Sequence, residues 1–156
     1  MNNTRRNVLK GAGAAGAVTV AMAAGLLKPG AVFAADWNKA AFDAKDLNAA
    51  LAGVGGGGAA ASGDIVVKAP DIAENGAVVP VEVESKIAGT ESIVLIGEKN
   101  GFPLLADFKL SNGAVGFVST RIKLGATSNV TAIVKAGGKV YKASKEVKVT
   151  IGGCGG

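Results

Sequence analysis

Cys154 is the one thiol in 156 residues, and it stands at the chain's end in the run Gly152-Gly153-Cys154-Gly155-Gly156. A thiolate is intrinsically nucleophilic, and an ordinary cysteine with a pKa of about 8.5 is partly ionised near neutrality. A solitary cysteine cannot close an internal disulfide, so it is an intermolecular link or a thiol with its own chemistry. The chain has no histidine. That removes the commonest general base and the commonest metal ligand. One cysteine without histidine gives neither a Cys–His dyad nor a zinc site of ordinary composition. No catalytic residue, metal or cofactor is therefore expected. Glycine on both sides of Cys154 leaves the backbone nearly unrestricted, so Gly152, Gly153, Gly155 and Gly156 read as a flexible arm that can offer one sulfur to several pockets in turn.

Other uses of such an ending carry less. A prenylation box needs three residues after its cysteine, and Cys154 has two. A lipid anchor needs a cysteine at the signal cleavage site. Activation of the terminal Gly-Gly as a thiocarboxylate needs ATP, which an exported chain does not meet. A disulfide joining two copies through Cys154, in an exported structural or adhesion protein, stays open as the rival reading.

The export expectation comes from the other end. Thr4-Arg5-Arg6-Asn7-Val8-Leu9-Lys10 sets two arginines before an uncharged stretch from Gly11 to Leu27, and Ala31-Val32-Phe33-Ala34 offers small residues to a peptidase. This is the layout of a secretory signal, and the twin arginine with a mild Gly/Ala core points to the Tat route. Residues 1–34 are expected to be removed and the mature chain to work in the periplasm. Seventeen mildly apolar residues fall short of a membrane span of about 20. Arg5, Arg6, Lys10 and Lys28 leave with the signal, and no acid does, so thirteen bases face twelve acids in what remains. The basic pI of the whole chain therefore argues for neither nucleic acid nor membrane as a partner. About 120 residues remain, enough for one domain.

Residues 35–63 read as one helix followed by a glycine-rich connector. Asp36 is placed to cap a helix running to Leu51, with Trp37, Ala41, Ala44, Leu47 and Leu51 on its apolar face. Gly53, Gly55 and Gly58 match G-x-G-x-x-G, but a dinucleotide fingerprint follows a strand and opens a helix. Here a helix precedes it and the extended Asp64-Ile65-Val66-Val67-Lys68 follows, so the match is an accident of composition.

Residues 64–151 read as about seven antiparallel strands: Ile65–Lys68, Val78–Ser85, Glu91–Glu98, Leu104–Leu110, Gly116–Leu124, Ser128–Lys135 and Lys139–Ile151, the last kinked or bulged near Ser144. Val79, Val81 and Val83 alternate with Glu82 and Glu84, the pattern of a half-buried strand, whereas Ile93-Val94-Leu95-Ile96 reads as covered on both sides. Asn75-Gly76, Asn100-Gly101, Asn112-Gly113 and Gly137-Gly138 supply turns. The fold class is all-β, an immunoglobulin-like sandwich without a Cys-Trp-Cys core. It is expected to end at Ile151, leaving residues 152–156 as the arm. Lys145 and Lys148 near its base are either attractors of an anionic substrate or solvated charges.

The ending Val147-Lys148-Val149-Thr150-Ile151-Gly152-Gly153-Cys154-Gly155-Gly156 resembles that of the SoxY family, the sulfur-carrying subunits of SoxYZ complexes. Ala69-Pro70-Asp71-Ile72-Ala73-Glu74-Asn75-Gly76-Ala77-Val78-Val79-Pro80-Val81 and Thr120-Arg121-Ile122-Lys123 are similar as well. Lys99-Asn100-Gly101-Phe102-Pro103 departs from the family's K-N-P-x-P. The resemblance implies a carrier that catalyses nothing itself and pairs with SoxZ. It also implies that SoxAX oxidatively couples thiosulfate to Cys154, that SoxB releases sulfate, and that a sulfane dehydrogenase, where present, oxidises the remaining sulfur.

Overall fold

The computed structural model describes residues 37–111 and 113–150. The chain divides into two units, Met1–Trp37, of which only Trp37 is described, and Asn38–Gly156, which holds every element below.

Two short helices, α1 (Lys39–Phe42) and α2 (Leu47–Gly53), open the second unit. They replace the single helix expected over 36–51. Asp46 adopts extended backbone, φ −120° and ψ 152°, and its side chain accepts from the Ala49 amide, so it starts a new helix where the old one would have continued. Asn38 caps α1 in the same way through Ala41, and Asp36, the expected cap, lies outside the described residues.

Among the described residues nine strands follow: β1 (Ala60–Ala61), β2 (Ile65–Lys68), β3 (Ile72–Ala73), β4 (Val79–Ser85), β5 (Thr90–Gly97), β6 (Leu104–Lys109), β7 (Phe117–Ile122), β8 (Ser128–Ala136) and β9 (Lys139–Val149). The seven expected strands are all present within a residue or two. The additions are the two-residue β1 and β3, both parallel to β9. A six-stranded sheet runs β1-β9-β8-β5-β6 with β3 also on β9, and a three-stranded sheet runs β2-β4-β7. Every long pairing is antiparallel.

The larger sheet has two covered faces. Ile93, Leu95, Val130, Ala132, Val134 and Val147 meet Val79, Val81, Val83 and Ile122 of the smaller sheet in the inter-sheet core. On the opposite face Val94, Ile96, Leu104 and Ile133 pack beneath Ala41, Ala50 and Val54 of the helical segment. Double coverage is why β5 is apolar at four successive positions, while β4, open to solvent on one side, alternates. The helices thus belong to the sandwich, a point the sequence leaves open.

The β8–β9 pairing runs without a break from Ala136↔Lys139 to Ser128↔Val147, so the irregularity expected near Ser144 is absent. The register shifts elsewhere: β6 carries an extra residue, Leu105, opposite Leu95 and Ile96 of β5, and β5 carries one, Glu91, between the residues that face Ala136 and Lys135 of β8. Gly137 and Gly138, with φ of 55° and 72°, close the β8–β9 hairpin in the left-handed backbone that a two-residue primed turn needs. Asn75-Gly76, by contrast, is no hairpin: it carries the chain from β3 beside the larger sheet to β4 in the smaller one.

Candidate functional site

Cys154 and its neighbours Gly152, Gly153, Gly155 and Gly156 lie outside the described residues, as does Ile151. What the structure places is the root from which they extend. Val147 is fully buried and is the last β9 residue opposite β8, whose first residue is Ser128. Beyond Val147 the strand changes partners. The Lys148 amide donates to the Asp71 carbonyl at 2.9 Å and the Thr150 amide to the Ala73 carbonyl at 3.2 Å, in the parallel register Ile72↔Lys148 and Ala73↔Val149. The Val149 amide donates to Thr127 Oγ1 at 3.0 Å, from the loop that leads into β8. Three successive amides of the strand end are therefore satisfied from two flanks. From Thr150 to Cys154 the backbone has four residues, a span of at most about 14 Å.

The segment after β3 is braced in turn. Asn75 Oδ1 accepts from the Ala77 amide at 2.9 Å, and its carbonyl accepts from the Val78 amide at 3.3 Å. The Gly76 carbonyl accepts from the Leu124 amide at 2.7 Å. A Cβ at Gly76 would collide with the Leu124 carbonyl oxygen and stand 2.9 Å from Val149 Cγ1, so only glycine lets the three segments meet. This gives Asn75 and Gly76 a structural task. The sequence gives no advance notice of Asp71, Ala73 and Thr127 as supports of the strand end. Their one trace is that the stretch from Ala69 to Val81, singled out for its resemblance, includes two of them.

The charges near the root are mixed. Lys145 Nζ pairs with Asp71 Oδ1 at 3.0 Å. Lys99, Lys123 and Lys148 are exposed, and so are Asp71, Glu74 and Glu146. Of the two lysines flagged for attracting an anion, Lys145 is thus committed to an acid, and Lys148 projects from the strand end. The adjoining β5–β6 loop is tied down by Asn100, whose Nδ2 donates to the Lys123 carbonyl at 2.7 Å and whose Oδ1 accepts from the Gly125 amide at 3.0 Å. Where the family pattern has a proline, Gly101 is thus held by its neighbour's side chain.

A cavity of about 460 Å³ lies between α2, the glycine-rich connector and the outer face of the larger sheet, lined among others by Leu47, Leu51, Glu98, Thr131, Lys142 and Ser144. Three of its polar groups, Glu98, Thr131 and Ser144, are linked to one another. Thr131 Oγ1 donates to Glu98 Oε1 at 2.8 Å and lies 2.6 Å from Ser144 Oγ, while Asn129 Nδ2 donates to Glu98 Oε2 at 3.0 Å. Among the described residues no three His, Cys, Asp or Glu side chains gather as metal ligands. No helix among them is long and apolar enough to cross a membrane.

Comparison with known proteins gives a consistent picture. The family model described as "Sulfur oxidation protein SoxY" matches residues 51–154. Among solved structures, the sulfur carrier protein SoxY from Chlorobium limicola f. thiosulfatophilum is 41% identical with a TM-score of 0.61, over 68% of this chain and 97% of that one. An engineered protein matches at 15% identity and a TM-score of 0.39, over 56% of this chain and 20% of that one, too slight a likeness to bear on the argument. No curated protein sequence matches. With two thirds of its length matched by the family model and that similarity running almost end to end through the Chlorobium protein, the chain belongs to the SoxY family of sulfur oxidation proteins.

Proposed function

We propose that this protein is an exported, non-enzymatic carrier that holds sulfur intermediates covalently on Cys154 while separate enzymes process them. The observation that carries the reading is positional. The family match ends on Cys154 itself, four residues beyond Thr150, the last described residue, whose amide is bonded to the Ala73 carbonyl. A thiol so placed is within about 14 Å of a rigid support.

The chemistry needs little from the carrier. In the first step the Cys154 thiol and thiosulfate join through a new S–S bond, the thiol proton is released and two electrons pass to an oxidising haem enzyme, SoxAX by the resemblance. Hydrolysis then delivers water to the terminal sulfone, releases sulfate and leaves a persulfide on Cys154, the step assigned to SoxB. A sulfane dehydrogenase, where present, would oxidise that sulfur, and a second hydrolysis restores the thiol. Each enzyme supplies its own activating charge, so the carrier works without a histidine or a metal centre. SoxZ is the expected partner subunit. Residues 1–34 are the expected Tat signal and the periplasm the site of action.

Intact-protein mass spectrometry after incubation with thiosulfate and the oxidising haem enzyme tests the reading. The expected result is a mass gain on Cys154 that thiol reductants reverse and that Cys154→Ser abolishes without unfolding the protein. Absence of that gain in the wild-type chain, or its persistence in Cys154→Ser, refutes the proposal.

A further inference from the structure

We infer that Asp71, Ala73, Gly76 and Thr127 form a clasp that fixes the length of the tether carrying Cys154; they are positioning residues, and the inference rests on the carrier reading above. The need for a clasp follows from the topology. β8 begins at Ser128, opposite Val147, so the long hairpin holds β9 only that far. With no other support, Cys154 would stand seven residues from its last fixed neighbour. The clasp removes three of those seven. It takes the amides of Lys148, Val149 and Thr150 in succession, the first and third on the β3 flank and the second on the Thr127 flank.

Bonds on alternate flanks resist peeling from either side. The clasp is itself locked to the body, since Gly76 bonds Leu124 and lies against Val149. Ala73 is buried in the inter-sheet core, so β3 is anchored by its side chain as well as its backbone. The Lys145–Asp71 ion pair adds a contact at the same corner.

Fixing the tether sets what a partner can accept. Four residues span at most about 14 Å and seven about 25 Å. The effective concentration of a tethered group falls roughly as the −3/2 power of tether length, so release of the clasp dilutes the sulfur about twofold at a partner docked on this end of the sandwich. It also removes the fixed direction in which the tether leaves the sheet.

Three variants test the inference. Gly76→Val drives a side chain into the Leu124 carbonyl and Val149. Thr127→Val removes the acceptor of the Val149 amide with almost no change of shape, and serves if the first variant fails to fold. Insertion of three glycines after Thr150 lengthens the tether and leaves the clasp closed. Hydrogen exchange at the Lys148–Thr150 amides is expected to accelerate about tenfold in the two substitution variants and to stay at the wild-type rate in the insertion variant. The anisotropy of a maleimide fluorophore on Cys154 should fall in all three. So should kcat/KM for enzymatic coupling of thiosulfate, by about twofold.

Unchanged exchange in both Gly76→Val and Thr127→Val overturns the clasp. A wild-type kcat/KM in the insertion variant overturns its role in setting reach, since a merely structural clasp would not be mimicked by added glycines. If the wild-type protein accepts no thiosulfate, the carrier reading fails while exchange and anisotropy still decide whether the clasp exists.

Discussion

Val147 and Val149 differ by two residues on one strand, and their truncation to alanine should differ several-fold. Val147 has no exposed surface and packs in the inter-sheet core beside Val130. Val147→Ala removes two buried methyl groups, worth about 0.8 kcal/mol each in transfer from water. The void they leave adds up to about 1 kcal/mol, because the two sheets are fixed by their other core residues and cannot close on it. The expected loss is about 2–3 kcal/mol, or roughly 10 °C in unfolding midpoint for a domain of this size. Val149 is half-buried and its Cγ1 faces Gly76 at the clasp, so Val149→Ala should cost under about 1 kcal/mol. Urea titration with a constant m-value measures both. In the folded state at 25 °C, alkylation of Cys154 should proceed at the same rate in wild type and Val147→Ala, because the carrier reading puts the thiol outside the core that Val147 supports. Equal losses in the two variants would refute the claim that the core along β9 ends at Val147. A thiol that reacts only as the protein unfolds would refute the placement of Cys154.

Thr131→Val deletes a buried hydroxyl bonded to Glu98 and close to Ser144, and should cost about 1–3 kcal/mol in urea titration, because the Glu98 carboxylate keeps only Asn129. Asp71→Asn removes the pairing with Lys145 but leaves the Asp71 carbonyl that holds Lys148. With the Asp71 side chain 88% exposed, the loss should stay below about 1 kcal/mol and vanish in 1 M salt. Gly138→Ala places a Cβ on left-handed backbone, φ 72°, and should lower stability by about 1–2 kcal/mol without altering the alkylation rate of Cys154.

The long strands were legible because each carries its own burial in its own residues. Val79, Val81 and Val83 announce one covered face, and Ile93 to Ile96 announce two. What escaped is what depends on remote partners. β1 pairs Ala60 with Tyr141 and β3 pairs Ala73 with Val149, and two residues are too few to show any period. The irregularity expected near Ser144 has a cause in composition. Tyr141, Ala143, Val147 and Val149 share one parity of β9 and pack toward the inter-sheet core, but Lys145 interrupts them with a charge. The strand keeps its register because Lys145 carries its ammonium out to Asp71 beside the sheet. The helix was misread for the converse reason. Ala41, Ala44, Leu47 and Leu51 keep helical spacing across a break, since both short helices cover the same apolar face, and the capping by Asp46 was the one local sign of a restart. As for the site, composition puts Cys154 forward as the thiol of the proposal, whereas the support of the strand end that leads to it was not legible, because Asp71, Ala73 and Thr127 act through backbone geometry and a lone hydroxyl.

These features give β9 a particular mechanical standing. It pairs with β8 along nine positions on one flank, and on the other it meets β1 near its start and β3 near its end. An enzyme that drew Cys154 into an active site would pull on β9 along its axis. Such a pull loads all of these hydrogen bonds in shear, together with the buried Val147, whereas a pull across the sheet would open them one at a time. An interior strand is therefore a better mount for a tether than an edge strand such as β6 or β7. The two-residue strands, which add almost nothing to the core, have their reason here: β1 gives β9 a second neighbour near its start, and β3 takes over where β8 stops, at the end that leads to the thiol.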